Sequence, residues 1–193
     1  MNKTRKRLTL LTTTALLTAL AILIPQVMPK IVIPPASFTL ASHVPIMIAM
    51  LISPLAAVVV SLGSALGFLI SGLPIEITFR AATHVIFALI GSTFLWRHKS
   101  YTHGVKFQIF NVVIALIHTL AEVAIVYLLL TVGFSHLAGR NLGSLLLILS
   151  IGGFVHSLID FNIAARASEA GITMTGTPGY MLPSVGFMRW NTE

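Results

Sequence analysis

Hydrophobic residues form long uninterrupted runs along the chain, and prolines or polar residues mark the ends of each run. The first run, from Leu8 to Ile24, is close to the shortest that crosses a membrane as a helix. Pro25 ends this run, and five prolines fall between positions 25 and 45. Because each proline removes a backbone donor, the pattern predicts one transmembrane helix followed by a long structured loop.

The next apolar stretch, Ile46–Leu73, is too long for one untilted crossing. Pro54 suits the first residue of a helix, so it divides the stretch into two. We predict a short helix that starts near Ser42 and another that begins at Pro54. Gly63 and Gly67 have the GxxxG spacing that allows two membrane helices to approach closely.

Three more helices are predicted, from about Ile75 to Trp96, from Phe107 to Val132 and from Leu142 to Ala165. The fold class is therefore an all-α integral membrane protein, a bundle of six transmembrane helices with a long loop between helices 1 and 2. Residues 1–165 form one transmembrane domain, and residues 166–193 form a polar tail.

Composition agrees with this class. Hydrophobic residues make up 56% of the chain and charged residues 9%, whereas soluble domains carry about 25% charged residues. The net charge of +7 does not indicate a nucleic-acid partner, because the basic residues flank apolar runs. Without cysteine, the chain has no disulfide and no thiol nucleophile.

Basic residues also predict the orientation, because loops on the cytoplasmic side of a membrane are enriched in lysine and arginine. With six spans, only Lys30 and Arg140 fall on the side opposite the termini. We expect cytoplasmic termini, an extracellular proline-rich loop and a retained first helix rather than a cleaved signal peptide. The basic residues on the side of the termini are Lys3, Arg5, Lys6, Arg7, Arg97, Lys99, Lys106, Arg166 and Arg189.

Ionisable side chains inside the predicted spans are candidates for function, because each costs about 3 kcal/mol at the bilayer centre. Glu76, Arg80 and His84 lie on one face of the fourth helix, and His118 and Glu122 on one face of the fifth. Arg80 and Glu122 have compatible depths, so they form either a structural ion pair or part of a polar cavity that admits a solute from outside. We favour the cavity.

Two further polar residues, His156 and Asp160, lie on the sixth helix. This helix runs inward, so we expect both to lie towards the cytoplasm, outside the cavity. His84, His118, Glu122 and His156 are residue types that bind zinc, as in a membrane-embedded metalloenzyme. The chain has neither HExxH nor GxSxG, so we expect no enzyme, and neither a metal nor another cofactor in this chain.

The segments ASHVPIMIAMLISPLAAVVVSLGSALGFLI, at 41–70, and FRAATHVIFALIG, at 79–91, resemble the substrate-binding S component of an energy-coupling factor (ECF) vitamin transporter. The resemblance extends over all six helices and includes AxxxA at Ala15 and Ala19. It implies capture of a water-soluble vitamin from outside. It also implies three partner subunits, a membrane T component and two cytoplasmic ATPases that use ATP and Mg.

The resemblance further implies a site in which the first loop caps a cavity built by helices four to six. It assigns substrate binding to Ser42, His43, Arg80, His84, His118 and Glu122, and contact with the T component to Ala15 and Ala19. Arg80 favours an acid such as pantothenate or nicotinate, because a guanidinium binds a carboxylate with two hydrogen bonds. If Glu122 occupies that guanidinium, a neutral hydroxymethylpyrimidine or pyridoxine-like vitamin is the alternative.

Overall fold

A computed structural model of the chain describes residues 3–33, 36–133 and 141–174. Side chains are described in these ranges except those of Lys3, Lys6 and residues 169–174. The described residues form six α-helices, with a two-stranded hairpin between the first two and a 3-10 turn before the fifth. The helices are α1 (Lys3–Val27), α2 (Val44–Ile52), α3 (Pro54–Ile70), α4 (Ile75–Arg97), α5 (Gly104–Thr131) and α6 (Leu142–Met174).

The connection between α1 and α2 differs from the predicted proline-rich loop. Helix α1 continues through Pro25 to Val27 instead of ending at Ile24, and this is possible because only one intrahelical hydrogen bond is lost near the helix end. Strands β1 (Lys30–Ile33) and β2 (Ala36–Thr39) then pair antiparallel. The described part of this connection is therefore a short pair of strands, and Pro25 and Pro45 belong to the helices on either side.

Four helices are long and apolar enough to cross a membrane: α1 from Arg7, α4, α5, and α6 as far as Ser168. Helix α3 has 17 residues, near the lower limit for crossing. Helix α2 has nine residues and is only roughly 13 Å long, so it does not cross alone. The chain is thus a helical, multi-pass membrane protein, and the count of six crossings stays a prediction.

Helices α1 and α3 approach closely at the two glycines of the GxxxG sequence. A β-carbon on Gly67 would lie 2.7 Å from the carbonyl oxygen of Ile22, and one on Gly63 would lie 2.6 Å from Cγ2 of Thr18. Any larger residue would push the two helices apart. The predicted close approach therefore occurs, and its partner is α1.

Helix α2 lies inside the bundle, where it packs against α1, α3, α4 and α6. Most of its residues are buried, and Val44, Ile48 and Ile52, which share one face, are partly buried. The apolar core around it is closed by Phe87 and Leu95 of α4 and by Phe110 of α5. The fully buried side chains that α2 contributes are Ile46, Met47, Ala49 and Met50.

Helix α6 extends beyond the predicted end at Ala165 as far as Met174. Residues 166–174 belong to the predicted polar tail, so the helix continues into that segment. The remainder of the predicted tail, residues 175–193, lies outside the described residues. The loop predicted from Gly133 to Asn141 is described only at its two ends.

Candidate solute-binding site

The turn that precedes α2 delivers two polar side chains into the bundle. Ala41 has φ of +62°, a left-handed conformation that costs a non-glycine residue about 1–2 kcal/mol. The amide of Ser42 donates to the carbonyl of Thr39 at 3.1 Å, and the amide of Val44 donates to that of Ala41 at 3.1 Å. This turn leaves Ser42 and His43 almost fully buried.

Helices α4 and α5 contribute an ion pair between Arg80 and Glu122, which the sequence placed at compatible depths. Arg80 Nη2 donates to Glu122 Oε2 at 2.7 Å, and both side chains are buried. The other carboxylate oxygen, Glu122 Oε1, lies 3.3 Å from Nε2 of His84 and 3.3 Å from Nε2 of His118. The i, i+4 spacing on each helix therefore brings all four side chains to one place.

Helix α6 completes the cluster. His156 lines the cavity, contrary to the sequence-based prediction, whereas Asp160 is not among the lining residues. The backbone amide of His43 donates to Asp160 Oδ2 at 3.0 Å, and His43 Nδ1 lies 3.1 Å from the same oxygen. His156 Nε2 is 3.3 Å from Ser42 Oγ. Both residues of α6 therefore contact the two residues of the turn before α2.

The prediction failed because it ordered side chains by their distance from helix ends and treated every span as a full crossing. Helix α2 is short and lies inside the bundle, so its first residue, Val44, begins next to the middle of α6. His43 precedes it and reaches Asp160 directly. An aspartate in the apolar interior of a span was the signal that could have included α6, since such a residue needs a partner.

The cluster lines a cavity of about 300 Å³, including its open mouth. All six residues to which the resemblance assigned substrate binding line it. Phe38 of β2 is also at the wall, with its ring centroid 6.0 Å from that of His156. The hairpin therefore lies against the cavity. The lining residues that sequence reasoning missed are Ser37, Phe38, Phe68, Ile77, Ala81, Gly153 and His156.

The remaining sequence-predicted candidates, Glu76 and the alanines of the AxxxA sequence, lie apart from the cavity. Glu76 is buried, and its Oε2 has no hydrogen-bond partner among the described atoms, but it does not line the cavity. Ala15 and Ala19 are exposed on α1, whereas Thr18 and Ile22 contact α3. The two alanines are therefore not buried against the described residues of this chain.

The cavity combines one guanidinium, one carboxylate, imidazoles and hydroxyls with apolar walls, as is typical of a site that binds a small polar molecule. Apolar membrane-crossing helices around such a cavity define a membrane protein that captures a small solute. The chain matches the family model of the ECF-type riboflavin transporter S component over residues 6–165. It therefore belongs to the S components of ECF-type transporters, and is a substrate-binding subunit rather than an enzyme.

The chain is also similar to the niacin transporter NiaX of Lactococcus lactis subsp. cremoris (strain MG1363). The two are 46% identical over 153 residues, which cover 78% of this chain and 68% of the relative. No solved structure matches the chain.

Proposed function

We propose that this chain is the substrate-capture subunit of an ATP-driven ECF-type importer, and that its solute is nicotinate. The observation that carries the choice of solute is the similarity to a niacin transporter, together with a buried guanidinium on the wall of the cavity. An acid vitamin gains a charge-assisted hydrogen bond from Arg80 that a neutral vitamin cannot make. Pantothenate, a larger and more flexible acid, is the second acid candidate.

Several groups of the cavity suit a flat ring that carries a carboxylate. The ring of Phe38 and the imidazole of His156 lie at the wall beside the hairpin, where a pyridine ring can stack. Phe68 and Ile77 supply apolar contact. Arg80 and the imidazoles supply hydrogen bonds at the polar end, so the arrangement separates an apolar end from a charged end.

A neutral vitamin is the alternative, and one contact favours it. Arg80 already donates to Glu122 at 2.7 Å, so an incoming carboxylate has to share the guanidinium. A neutral hydroxymethylpyrimidine or pyridoxine-like vitamin needs no such sharing.

Calorimetry with nicotinate and its neutral amide, nicotinamide, separates these two possibilities. In wild-type protein we expect nicotinate to bind more tightly. Arg80→Gln should reduce nicotinate affinity about ten- to hundredfold, the effect of about 1.5–3 kcal/mol for a hydrogen bond to a charged group, and leave nicotinamide unchanged. Arg97→Gln, at the exposed end of α4, is the matched control. Equal loss for both ligands would contradict the role of Arg80 as a carboxylate anchor.

We further propose that the cavity opens to the outside and that the hairpin covers it, with both termini in the cytoplasm. Support comes from the excess of basic residues on the side of the termini and from the hairpin residues at the cavity wall. A membrane T component and two cytoplasmic ATPases, which bind ATP and Mg, then release the solute inside. Labelling of single cysteines placed in the hairpin and after α4, in intact cells, tests the orientation.

Ala15 and Ala19 are proposed to contact the T component. Both are exposed, next to the residues of α1 that contact α3, and small side chains allow a partner helix to approach closely. Replacing both with leucine should prevent co-purification with the T component and ATPases while solute affinity stays within twofold of wild type. Leu16 and Leu20, also exposed on α1, give a control pair as L16A/L20A. Intact assembly of the alanine-to-leucine variant would remove the basis of this contact.

A further inference from the structure

Four side chains in the cavity direct one ligand atom each towards a common point. They are His43, His84, His118 and Glu122, and these ligand atoms all lie within 4.8 Å of one another. Each of the four residues is buried. The four residues come from three elements of the fold, because His43 precedes α2, His84 lies on α4, and the other two lie on α5. No single local motif therefore accounts for their convergence.

Three of the six distances between these atoms match those between the ligands of a tetrahedral ion, and all six are within 4.8 Å. With bonds of 2.0–2.1 Å to zinc, neighbouring ligand atoms are about 3.3–3.4 Å apart. His43 Nε2 is 3.3 Å from His84 Nε2. Glu122 Oε1 is 3.3 Å from Nε2 of His84 and 3.3 Å from Nε2 of His118.

Hydrogen bonds among these groups do not explain the arrangement. The proton of a neutral His43 ring belongs on Nδ1, which faces Asp160 Oδ2, so Nε2 has only a lone pair to offer His84. His84 Nε2 carries at most one proton for two nearby acceptors, and its Nδ1 has no partner. Neither nitrogen of His118 has a hydrogen-bond partner among the described atoms. Buried polar atoms without partners need an explanation, and a bound ion is one.

The surroundings of the four ligands also resemble those of a metal site. A histidine that binds a metal usually donates its other ring N–H to a carboxylate, which fixes its orientation. Asp160 is in that position for His43. Arg80 binds the second carboxylate oxygen of Glu122 at 2.7 Å and leaves Oε1 directed at the histidines.

Charge supplies an independent argument. Close to the four ligands, the buried carboxylates of Glu122 and Asp160 outnumber the single guanidinium of Arg80. Uncompensated charge inside a protein is costly, and a divalent cation offsets this excess. An anionic solute would add another negative charge, so it needs such a cation even more.

We infer that His43, His84, His118 and Glu122 bind one divalent transition-metal ion, with Zn²⁺ the best match to three imidazoles and a carboxylate. The ion faces the cavity because all four ligands line it. A carboxylate or ring nitrogen of the solute can join it as a fifth ligand, a step that rests on the proposed function. This replaces the expectation from the sequence that the chain holds no metal.

The first test uses wild-type protein without a histidine tag, stripped with a chelator in detergent. Titration with Zn²⁺ should show about one ion per chain by calorimetry and by metal analysis after desalting. Co²⁺ should give the intense visible bands of a tetrahedral ion. Failure to retain Zn²⁺, or a Co²⁺ spectrum no different from that of the ion in buffer, overturns the inference without reliance on any variant.

The second test locates the ion. His118→Gln should reduce Zn²⁺ affinity at least tenfold, and Asp160→Asn should reduce it about ten- to hundredfold by releasing the orientation of His43. His103→Gln, on the exposed loop before α5, should bind Zn²⁺ as wild type does. Each variant is first checked for a single peak by size exclusion. Unchanged Zn²⁺ affinity in folded His118→Gln places any ion elsewhere and overturns the inference.

The third test links the ion to the solute. Nicotinate should bind Zn²⁺-loaded protein at least tenfold more tightly than stripped protein, and nicotinamide should show a smaller difference. If Zn²⁺ binds but nicotinate binds neither form, the metal site stands and the proposed solute is wrong. If nicotinate binds stripped protein fully and Zn²⁺ is not retained, the solute stands and the metal site is wrong.

Discussion

The helical bundle contains two regions of opposite character, and both α2 and α4 contribute to each. One is the cavity at the start of α2, and the other is the apolar core around the rest of α2. In the core, Met47, Met50 and Leu95 are fully buried among other apolar side chains. In the cavity wall, His118 is equally buried, but among the described atoms neither of its ring nitrogens has a hydrogen-bond partner. Apolar packing dominates the core, whereas the cavity contains clustered ionisable groups that can bind a ligand. The difference assigns stability to the core and ligand binding to the cavity.

The largest expected effect comes from breaking the ion pair of the cavity on one side only. In metal-free protein, Arg80→Leu should lower the free energy of unfolding by about 3–5 kcal/mol, because it leaves the buried carboxylate of Glu122 without its cation. The double variant Arg80→Leu/Glu122→Leu should return to within about 1 kcal/mol of wild type, since apolar residues often replace a buried pair without loss. Unfolding in mixed micelles with a denaturing detergent measures both.

The double variant also separates stability from binding. It should fold and yet bind nicotinate at least tenfold more weakly, because both charged groups of the cavity wall are absent. Arg97→Leu, at the exposed end of α4, is the matched control and should alter neither quantity. Full binding by the double variant would show that Arg80 does not contact the solute, and would favour a neutral vitamin.

The apolar core should give the reverse result. Leu95→Ala removes a fully buried side chain and should lower the free energy of unfolding by about 2–5 kcal/mol through lost packing. Nicotinate affinity of the folded fraction should stay within twofold. Leu89→Ala, an exposed leucine of the same helix, should change stability by only about 0.5 kcal/mol. A tenfold loss of affinity in Leu95→Ala would show that the two regions are not independent.

The smallest effect concerns the turn that joins the two regions. Ala41→Gly removes the strain of a left-handed alanine, φ +62°, and should stabilise the fold by about 0.5–1 kcal/mol after the greater freedom of glycine in the unfolded state is subtracted. Solute affinity should fall two- to threefold, because the turn holds Ser42 and His43 less rigidly. Thermal unfolding and calorimetry measure the two changes. Lower thermal stability would contradict the strain argument.

Apolar runs along the sequence predicted the six helices, and helical spacing placed Arg80 and Glu122 at compatible depths. Both follow from local rules, since apolar runs define helices and i, i+4 spacing defines a face. The hairpin could not be predicted in the same way, because it depends on pairing between Lys30–Ile33 and Ala36–Thr39 rather than on the prolines around it.

The error at His156, and the unpredicted contact of Asp160 with His43, have a tertiary cause. Both residues lie on α6 as predicted, but the sequence did not indicate that His43 lies inside the bundle. The depth at which a short helix begins is set by packing against other helices, in this case by the burial of α2 among α1, α3, α4 and α6. The spacing of apolar residues within α2 does not indicate the depth at which this helix begins.

The bond between His43 and Asp160 joins residues 117 positions apart, and this separation has a consequence for synthesis of the chain. Arg80 and Glu122 are only 42 positions apart, so their pair can form once α5 has emerged from the ribosome. His43 must wait for α6, the last helix of the described chain. A nascent protein therefore has an incomplete pocket until α6 has been translated, and a solute that binds the complete pocket stabilises only protein in which α6 has packed.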